Sequence, residues 1–280
     1  MFAKILKYDF VEFGLASLVG LILGAAVAIG STFLVFTGQE MLVGLGTTVG
    51  FLAALIVPAV IFILNAMRYY QSVYGGRGYF TNTLAVGGGV ILGAKTLWLY
   101  LVSLACTLFA MISFVWLVAC QNIMHDAQGW DYGERIAKAW ESISSALGYI
   151  PSYMYGMLLV VFLFTPLQWV IWTVASSALG NRFAFARISE KKAVWLGVII
   201  CFAIYQAVSL AAIFVIPASL HLTGLGDNVS INFTTGIITS AMTTNDSGTH
   251  IPLGTLVQIP LLMLGYWFAH NSLSRHLSLR

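Results

Sequence analysis

Residues 42–66 read LVGLGTTVGFLAALIVPAVIFILNA, a stretch that contains no Asp, Glu, Lys or Arg. About 20 apolar residues are enough for a helix to cross the hydrocarbon core of a bilayer. A spanning segment must be helical, because no water is available there to satisfy the backbone. The stretch therefore predicts a transmembrane helix, in which Pro58 is tolerated and is expected to cause a kink.

The chain contains further stretches without Asp, Glu, Lys or Arg, at residues 13–36, 96–120, 153–180, 193–217 and 251–270. Of its 280 residues, 59% are hydrophobic and 8% are charged, whereas a soluble domain carries about 25% charged residues. This composition excludes a disordered chain, a nucleic-acid-binding protein and a disulfide-stabilised secreted domain. We expect an all-α, polytopic membrane protein in which residues 1–280 form a single domain with six transmembrane helices.

The basic residues are divided unevenly between the segments that connect these spans. All Lys and Arg residues except Arg135 and Lys138 lie at the N-terminus, at the C-terminus, or in the segments after spans two and four. Lys and Arg are enriched in the cytoplasmic loops of membrane proteins. We therefore expect a multi-pass protein of the cell membrane with both termini in the cytoplasm, and with external loops at residues 121–152 and 218–250.

Chemical groups for ion coupling or catalysis are missing from the spans. An ionisable residue inside a span usually marks an ion path. None of the six stretches holds Asp, Glu, Lys or Arg, and His270 lies at the end of the last one. Residues 88–96 approach the phosphate-loop pattern, but Ala94 separates the glycine from Lys95, and the segment opens a span rather than a soluble helix. We expect a protein that is not an enzyme and binds no cofactor or metal itself.

Each of the last three spans contains one amide side chain near its centre, namely Gln168, Gln206 and Gln258. These amides either form hydrogen bonds between helices or line a polar path for a substrate. Spans that carry only a few amides suit a substrate that is amphipathic or lipid-like.

Two further patterns each leave two interpretations open. Small residues follow one another at four-residue spacing through the first span, at Ala16, Gly20, Gly24, Ala28 and Thr32. Such a ridge lets helices approach closely, either within one bundle or against a second membrane subunit. Residues 130–147 predict an external amphipathic helix, because apolar residues recur on one face at Ile136, Trp140, Ile143 and Leu147. That helix either lies on the membrane or the bundle, or acts as a substrate lid.

The segment at residues 67–95 is the most distinctive part of the chain, and residues 68–84 read RYYQSVYGGRGYFTNTL. It is too aromatic and too rich in glycine for a flexible linker. Its glycines should end the helix that continues from the second span, and Thr81 or Asn82 can begin a new short helix. The residues alone indicate an ordered cytoplasmic docking loop or, alternatively, an interfacial anchor.

This loop resembles that of the membrane permease subunits of small, six-span, type-2 ABC exporters of bacteria. The similarity is carried by Arg68, Tyr69, Tyr70, Tyr74, Gly75, Arg77, Gly78, Tyr79, Thr81, Thr83 and Leu84. Residues 4–10 are similar to the short amphipathic helix with which those permeases begin. Ala85 stands where the family usually has proline, so the end of the loop departs from the family pattern.

The resemblance implies a function for the whole chain. Residues 67–95 would carry a coupling helix that docks into a separate ATPase subunit, and two permeases and two ATPases would form the transporter. ATP would then be bound by the partner subunit. We expect an ATP-driven exporter that moves an amphipathic substrate, such as a drug, an antimicrobial peptide or a lipid-like molecule, by alternating access. The alternative is a membrane sensor, immunity or assembly protein that acts only by binding partners. The expected partners are ATPase subunits, a second permease and membrane lipid.

Overall fold

The computed structural model describes residues 2–75, 88–123, 131–148, 150, 152–181, 190–215, 218–223, 230–235, 249–252 and 257–275. Its contacts divide the chain into two units. The first unit comprises Met1–Val73 and Phe80–Val170, and the second comprises Tyr74–Tyr79 and Ile171–Arg280.

The first unit is built of helices that follow one another in the chain. Helix α1 (Phe2–Asp9) continues through a π-helical turn (Phe10–Gly14) into α2 (Leu15–Phe36), and α3 (Glu40–Val73) follows after a tight turn. Gly38 in that turn has a φ of 76°, a conformation that costs glycine little because it has no Cβ. After these come α4 (Gly88–Ile123), α5 (Tyr132–Gly148) and the first part of α6 (Ser152–Gly180).

Five helices are long and apolar enough to cross a membrane, within the part of the chain that the structure describes. They are Phe2–Phe36, Glu40–Val73, Gly88–Ile123, Met154–Gly180 and Trp195–Ala212. The prediction of a multi-pass, predominantly helical membrane protein is confirmed. Helix α8 (Gln258–Arg275) lies where a sixth span was expected at residues 251–270, but it is not one of these five.

Small residues allow α2, α3 and α4 to pack closely. A Cβ on Gly24 would lie 2.7 Å from Val57 of α3, and one on Gly20 would lie 3.0 Å from Ile61. At Gly50 the same atom would lie 2.6 Å from the hydroxyl oxygen of Ser31. The glycines of the small-residue ridge in α2 therefore pack inside one bundle, the first of the two interpretations that the sequence left open.

Helix α5 covers the end of the bundle where α2 ends. Ala139 is fully buried in a cluster with Val35, Phe36, Ala119 and Cys120. The capping at its start is reciprocal, because Glu134 N donates to Asp131 Oδ1 and Asp131 N donates to Glu134 Oε2. The predicted helix is present.

The face that α5 turns to the bundle differs from the expectation. Ala139 and the half-buried Ile143 pack there, whereas Ile136, Trp140 and Leu147 are exposed. The reason is size, because a small residue lets α5 approach the ends of α2 and α4 closely.

The second unit contains the end of α6, helix α7 (Glu190–Val215), three short strands and α8. A Cβ on Gly197 of α7 would collide with the carbonyl oxygen of Ser176 on α6, so these two helices are in backbone contact. Trp172 and Tyr205 stack edge to face across the same pair, with ring centroids 5.2 Å apart. A Cβ on Gly265 of α8 would lie 3.4 Å from Ile171.

The strands lie in the segment that was expected to be an external loop at residues 218–250, and the last strand extends two residues beyond it. They are β1 (Ala218–Thr223), β2 (Ser230–Thr235) and β3 (Thr249–Pro252), and they form an antiparallel sheet in the order β2-β1-β3. Leu220 pairs with Phe233 on one side and with Ile251 on the other. The alternation of apolar and polar residues in β1 and β2 is the sequence signal for strands.

Candidate functional site

A buried ion pair joins the N-terminal helix to the start of the third span. Lys95 Nζ lies 2.9 Å from Asp9 Oδ1, and the two side chains are 7% and 2% exposed. Charged groups of this kind are almost never buried unless they are paired. Asp9 is the last residue of α1, and Lys95 lies about two turns after the start of α4 at Gly88. The pair therefore fixes the position of α1 against α4.

A hydrogen-bonded chain next to this ion pair joins α2 to α3. Asn65 Nδ2 donates to Ser17 Oγ and to the carbonyl oxygen of Ile61, each at 2.9 Å. Ser17 Oγ in turn donates to the carbonyl oxygen of Phe13 at 3.0 Å. A carbonyl oxygen can only accept a hydrogen bond, so the orientation of the Asn65 amide is determined by its partners.

Aromatic side chains surround these polar groups. Phe10 and Trp98 stack edge to face with ring centroids 5.8 Å apart, and Arg68 Cζ lies 5.1 Å from the centre of the Phe13 ring. Phe10 and Phe13 both belong to the π-helical turn between α1 and α2. Single π-helical turns are rare and frequently occur at functional sites. Here the turn lies between the two polar residues Asp9 and Ser17.

A small cavity of about 10 Å³ lies among these side chains; its lining includes Asp9, Asn65, Tyr69, Lys95 and Trp98. Three buried polar atoms make no hydrogen bond to any described residue, namely Asp9 Oδ2, Asn65 Oδ1 and Trp98 Nε1. The cavity has about the volume that one water molecule needs, and buried waters make about three hydrogen bonds. Two acceptors and one donor therefore suit a single bound water. We call Asp9, Ser17, Asn65, Lys95 and Trp98 the ion-pair cluster.

Some of the predicted docking residues belong to the described part of the chain, and the others lie outside it. Tyr69, Tyr70 and Tyr74 are buried, as is Gly75, and Arg68 is half-buried against Phe13. Helix α3 continues seven residues beyond the expected end of its span at residue 66, which places Arg68, Tyr69 and Tyr70 in the helix. The remaining predicted docking residues lie outside the described residues; they are Arg77, Gly78, Tyr79, Thr81, Thr83 and Leu84.

The three amides of the predicted substrate path have different surroundings. Gln168 is half-buried on α6 in the first unit, and it has an interaction partner. Gln206 is exposed on α7, and Gln258 is half-buried. The expected central position of Gln258 is wrong, because it is the first residue of α8. Strand β3 at Thr249–Pro252 occupies the start of the stretch that was expected to be helical.

The ion pair was not predicted from the sequence. Lys95 was placed at the end of the segment at residues 67–95, before the third span, whereas the structure buries it inside α4. The apolar run that precedes it from residue 88 shows that the helix begins earlier than the span. Asp9 was likewise assigned to a segment outside the spans. No local pattern in the sequence indicates that these two residues pair, because they lie 86 positions apart.

The described residues contain no group of three or more His, Cys, Asp or Glu that could hold a metal ion. Cys106, Cys120 and Cys201 are buried free thiols. Comparison of the chain with protein-family models, with curated proteins and with solved structures finds no match. The functional argument therefore rests on the ion-pair cluster and on the segment that joins α3 to α4.

Proposed function

We propose that the chain is the transmembrane permease subunit of an ATP-driven ABC exporter. The single observation that carries this proposal is the burial of the described residues that flank residues 76–87 in the sequence. On one side, residues 76–87 follow Tyr69, Tyr70 and Tyr74, which are buried at and just beyond the end of α3. On the other side they precede a buried stretch at the start of α4 that includes Ile91 and Lys95. A segment with buried side chains at both ends transmits a displacement to both helices, as a docking element for a motor subunit must.

The ion-pair cluster extends this connection to the N-terminus. A displacement of α4 moves Lys95 and, through the ion pair, Asp9 and helix α1. A displacement of α3 moves Asn65 and, through its hydrogen bond, Ser17 of α2. Packed elements of this kind change between discrete arrangements rather than deforming continuously. Docked ATPase subunits would in this way convert nucleotide binding into a change between inward-open and outward-open packings.

The remaining parts of the proposal follow the resemblance and the charge distribution. Six spans cross the cell membrane with both termini in the cytoplasm, and α1 is the amphipathic N-terminal helix. Its Lys4 and Lys7 are exposed, while Leu6 packs against the Phe13–Trp98 cluster. Residues 67–95 carry the coupling helix, ATP is bound by the partner subunit, and a second permease completes the transporter. The substrate is amphipathic.

A non-transporting sensor, immunity or assembly protein is the second candidate. It is favoured by the exposure of Gln206 and by the position of Gln258 at the start of α8. Neither is what a residue at the centre of a polar path requires. In that case all interactions of functional importance would be with protein partners, and transport of a substrate would not occur.

The proposal is tested by isolating the tagged chain from the membranes of its own cells and measuring ATP hydrolysis in the purified material. We expect an ATPase subunit to copurify, and we expect Arg77→Glu and Gly78→Trp to lower the associated activity. Lys138→Glu is the matched charge-reversal control, because Lys138 lies on α5 and should leave the activity unchanged. Purified material without any ATPase, or equal activity in all variants, would contradict the proposal.

A second measurement separates the two candidate functions. Inverted membrane vesicles that contain the chain and its ATPase should accumulate a fluorescent amphipathic dye when ATP is added. Accumulation should require hydrolysis, so a non-hydrolysable analogue should give none. Copurification of an ATPase without accumulation of any of a panel of cationic, neutral and anionic amphipathic dyes would favour the non-transporting candidate.

A further inference from the structure

Helix α5 carries a stripe of large apolar side chains that the described part of the protein leaves uncovered. Tyr132, Ile136, Trp140 and Leu147 are 52%, 45%, 66% and 46% exposed. At about 100° per residue, these four positions fall within an arc of about 80° on the helix. Isolated apolar residues on a surface are ordinary, but a contiguous apolar patch marks an interaction surface.

One edge of this arc is in contact with the bundle. Ile143 falls within the arc and Ala139 borders it, and both pack against the ends of α2 and α4. The face on the far side is polar, and there Lys138 Nζ lies 2.7 Å from Glu141 Oε2 in an exposed ion pair. The apolar stripe therefore lies between a face fixed to the bundle and a face that favours water.

The stripe continues the apolar outer surface of α2. The ring of Tyr132 lies 6.3 Å from the ring of Phe33, and Phe33 and Ile29 on α2 are both exposed. Helix α2 belongs to one of the five candidate membrane spans, so its exposed apolar side chains face lipid. Because the stripe is apolar and continuous with the lipid-facing surface of α2, it also faces lipid.

The composition of the stripe indicates the depth at which it lies. Tyr and Trp are enriched at the boundary between the hydrocarbon and the headgroups. A helix with an apolar face, a charged face and low overall hydrophobicity lies in the plane of that boundary.

We propose that α5 is an interfacial helix that inserts Tyr132, Ile136, Trp140 and Leu147 into the membrane at the end of the bundle where α2 ends. Its charged residues nearly cancel, because Asp131, Glu134 and Glu141 are opposed by Arg135 and Lys138. Arg135 is also engaged as a donor to the carbonyl oxygen of Phe36. The interaction is therefore driven by apolar area and does not require anionic lipid. This inference is independent of the transport function.

The test compares single cysteine variants that carry an environment-sensitive fluorophore. Ile136→Cys and Trp140→Cys place the fluorophore on the stripe, and Glu141→Cys places it on the polar face one residue away. The unmodified chain measures background labelling of the buried Cys106, Cys120 and Cys201. Each full-length variant is labelled and reconstituted into phosphatidylcholine vesicles that contain spin-labelled lipid, with the quencher either near the headgroup or near the chain end.

We expect blue-shifted emission at positions 136 and 140 and stronger quenching by the shallow quencher than by the deep one. Emission at position 141 should be like that in water. Adding phosphatidylglycerol to the vesicles should leave these results unchanged. Water-like emission at both stripe positions would overturn the proposal. Blue-shifted emission without quenching by either lipid would also overturn it, because a protein surface would then cover the stripe.

Discussion

The two ends of the first unit are held together by different physical means. At the end where α1 meets α4, the contacts are polar and directional: the Asp9–Lys95 ion pair and the hydrogen bond between Asn65 and Ser17. At the end where α2 stops, the side-chain packing is mainly apolar: Phe36 lies in a cluster with Ala139 and its neighbours, and Arg135 adds a hydrogen bond to the carbonyl oxygen of Phe36. Directional contacts require defined geometry, whereas apolar contacts tolerate small shifts.

Because of this contrast, we expect a conformational change to occur more readily at the polar end than at the apolar end. A polar network has discrete arrangements, because each donor either meets its acceptor or does not, and at low dielectric its partly satisfied members are costly. Asp9 Oδ2 and Asn65 Oδ1, which make no hydrogen bond to a described residue, lie at this end. The packing of apolar side chains at the other end suits a fixed arrangement.

The largest effect is expected from Lys95→Met, which leaves Asp9 buried without its partner. Removing one member of a buried ion pair costs about 3 to 5 kcal/mol, because the remaining charge is uncompensated. We expect a large decrease in the melting temperature of the purified protein in detergent.

The matched control is the double variant Asp9→Leu with Lys95→Met. Replacing both members of a buried pair with apolar residues of similar size is often close to neutral, so most of the lost stability should return. A double variant as unstable as Lys95→Met alone would show that the ion pair is not the source of the effect. In that case the polar end would be held by something other than this contact.

An intermediate effect is expected from close packing near the apolar end. Gly46 of α3 lies against α2, and a Cβ there would lie 2.7 Å from the carbonyl oxygen of Ser31 and 2.9 Å from Leu34 Cβ. Overpacking of this kind costs about 1 to 3 kcal/mol, so Gly46→Ala should lower the melting temperature. Backbone atoms of α2 cannot move aside as the end of a flexible side chain does.

Gly44 provides a control on the same helix with the opposite sign. A Cβ at Gly44 would meet no atom of the described structure within 4 Å. Alanine is favoured over glycine inside a helix by about 0.5 to 1 kcal/mol, so Gly44→Ala should raise the melting temperature slightly. If both variants shift it in the same direction, the close approach of α2 and α3 does not control stability at this end.

The sequence predicts the membrane class and most of the helices, because apolar length is a local property. It also predicts α5 from its periodicity. The ion pair is different, because Asp9 and Lys95 are 86 positions apart and no local pattern reports that they meet. The buried face of α5 was missed for a related reason. The periodicity of large apolar residues was used to predict the buried face of α5. The close contact is instead made by Ala139, because its small side chain lets α5 approach the bundle.

The helix that continues from the second span ends at Val73, just before Gly75, as its glycines predict. The start of α4 was misjudged, because the helix begins at Gly88, several residues before the span expected from residue 96. Charged or polar residues end a hydrophobic stretch without ending a helix. The stretch at residues 251–270 was expected to be helical throughout. It begins instead with the end of strand β3, and helix α8 begins only at Gln258.

The smallest effect is expected at the apolar end, from Arg135→Ala. Arg135 is half-buried on α5 and donates to the carbonyl oxygen of Phe36, the last residue of α2. A cation at the C-terminus of a helix stabilises it by about 0.3 to 1 kcal/mol, so the decrease in melting temperature should be measurable but small. Lys138→Ala removes a neighbouring cation that forms an exposed ion pair with Glu141, and exposed pairs contribute about 0 to 1 kcal/mol. Its effect should not exceed that of Arg135→Ala. If Arg135→Ala lowered the melting temperature as much as Lys95→Met does, each end would depend on a single polar contact. The proposed difference between the polar end and the apolar end would then be wrong.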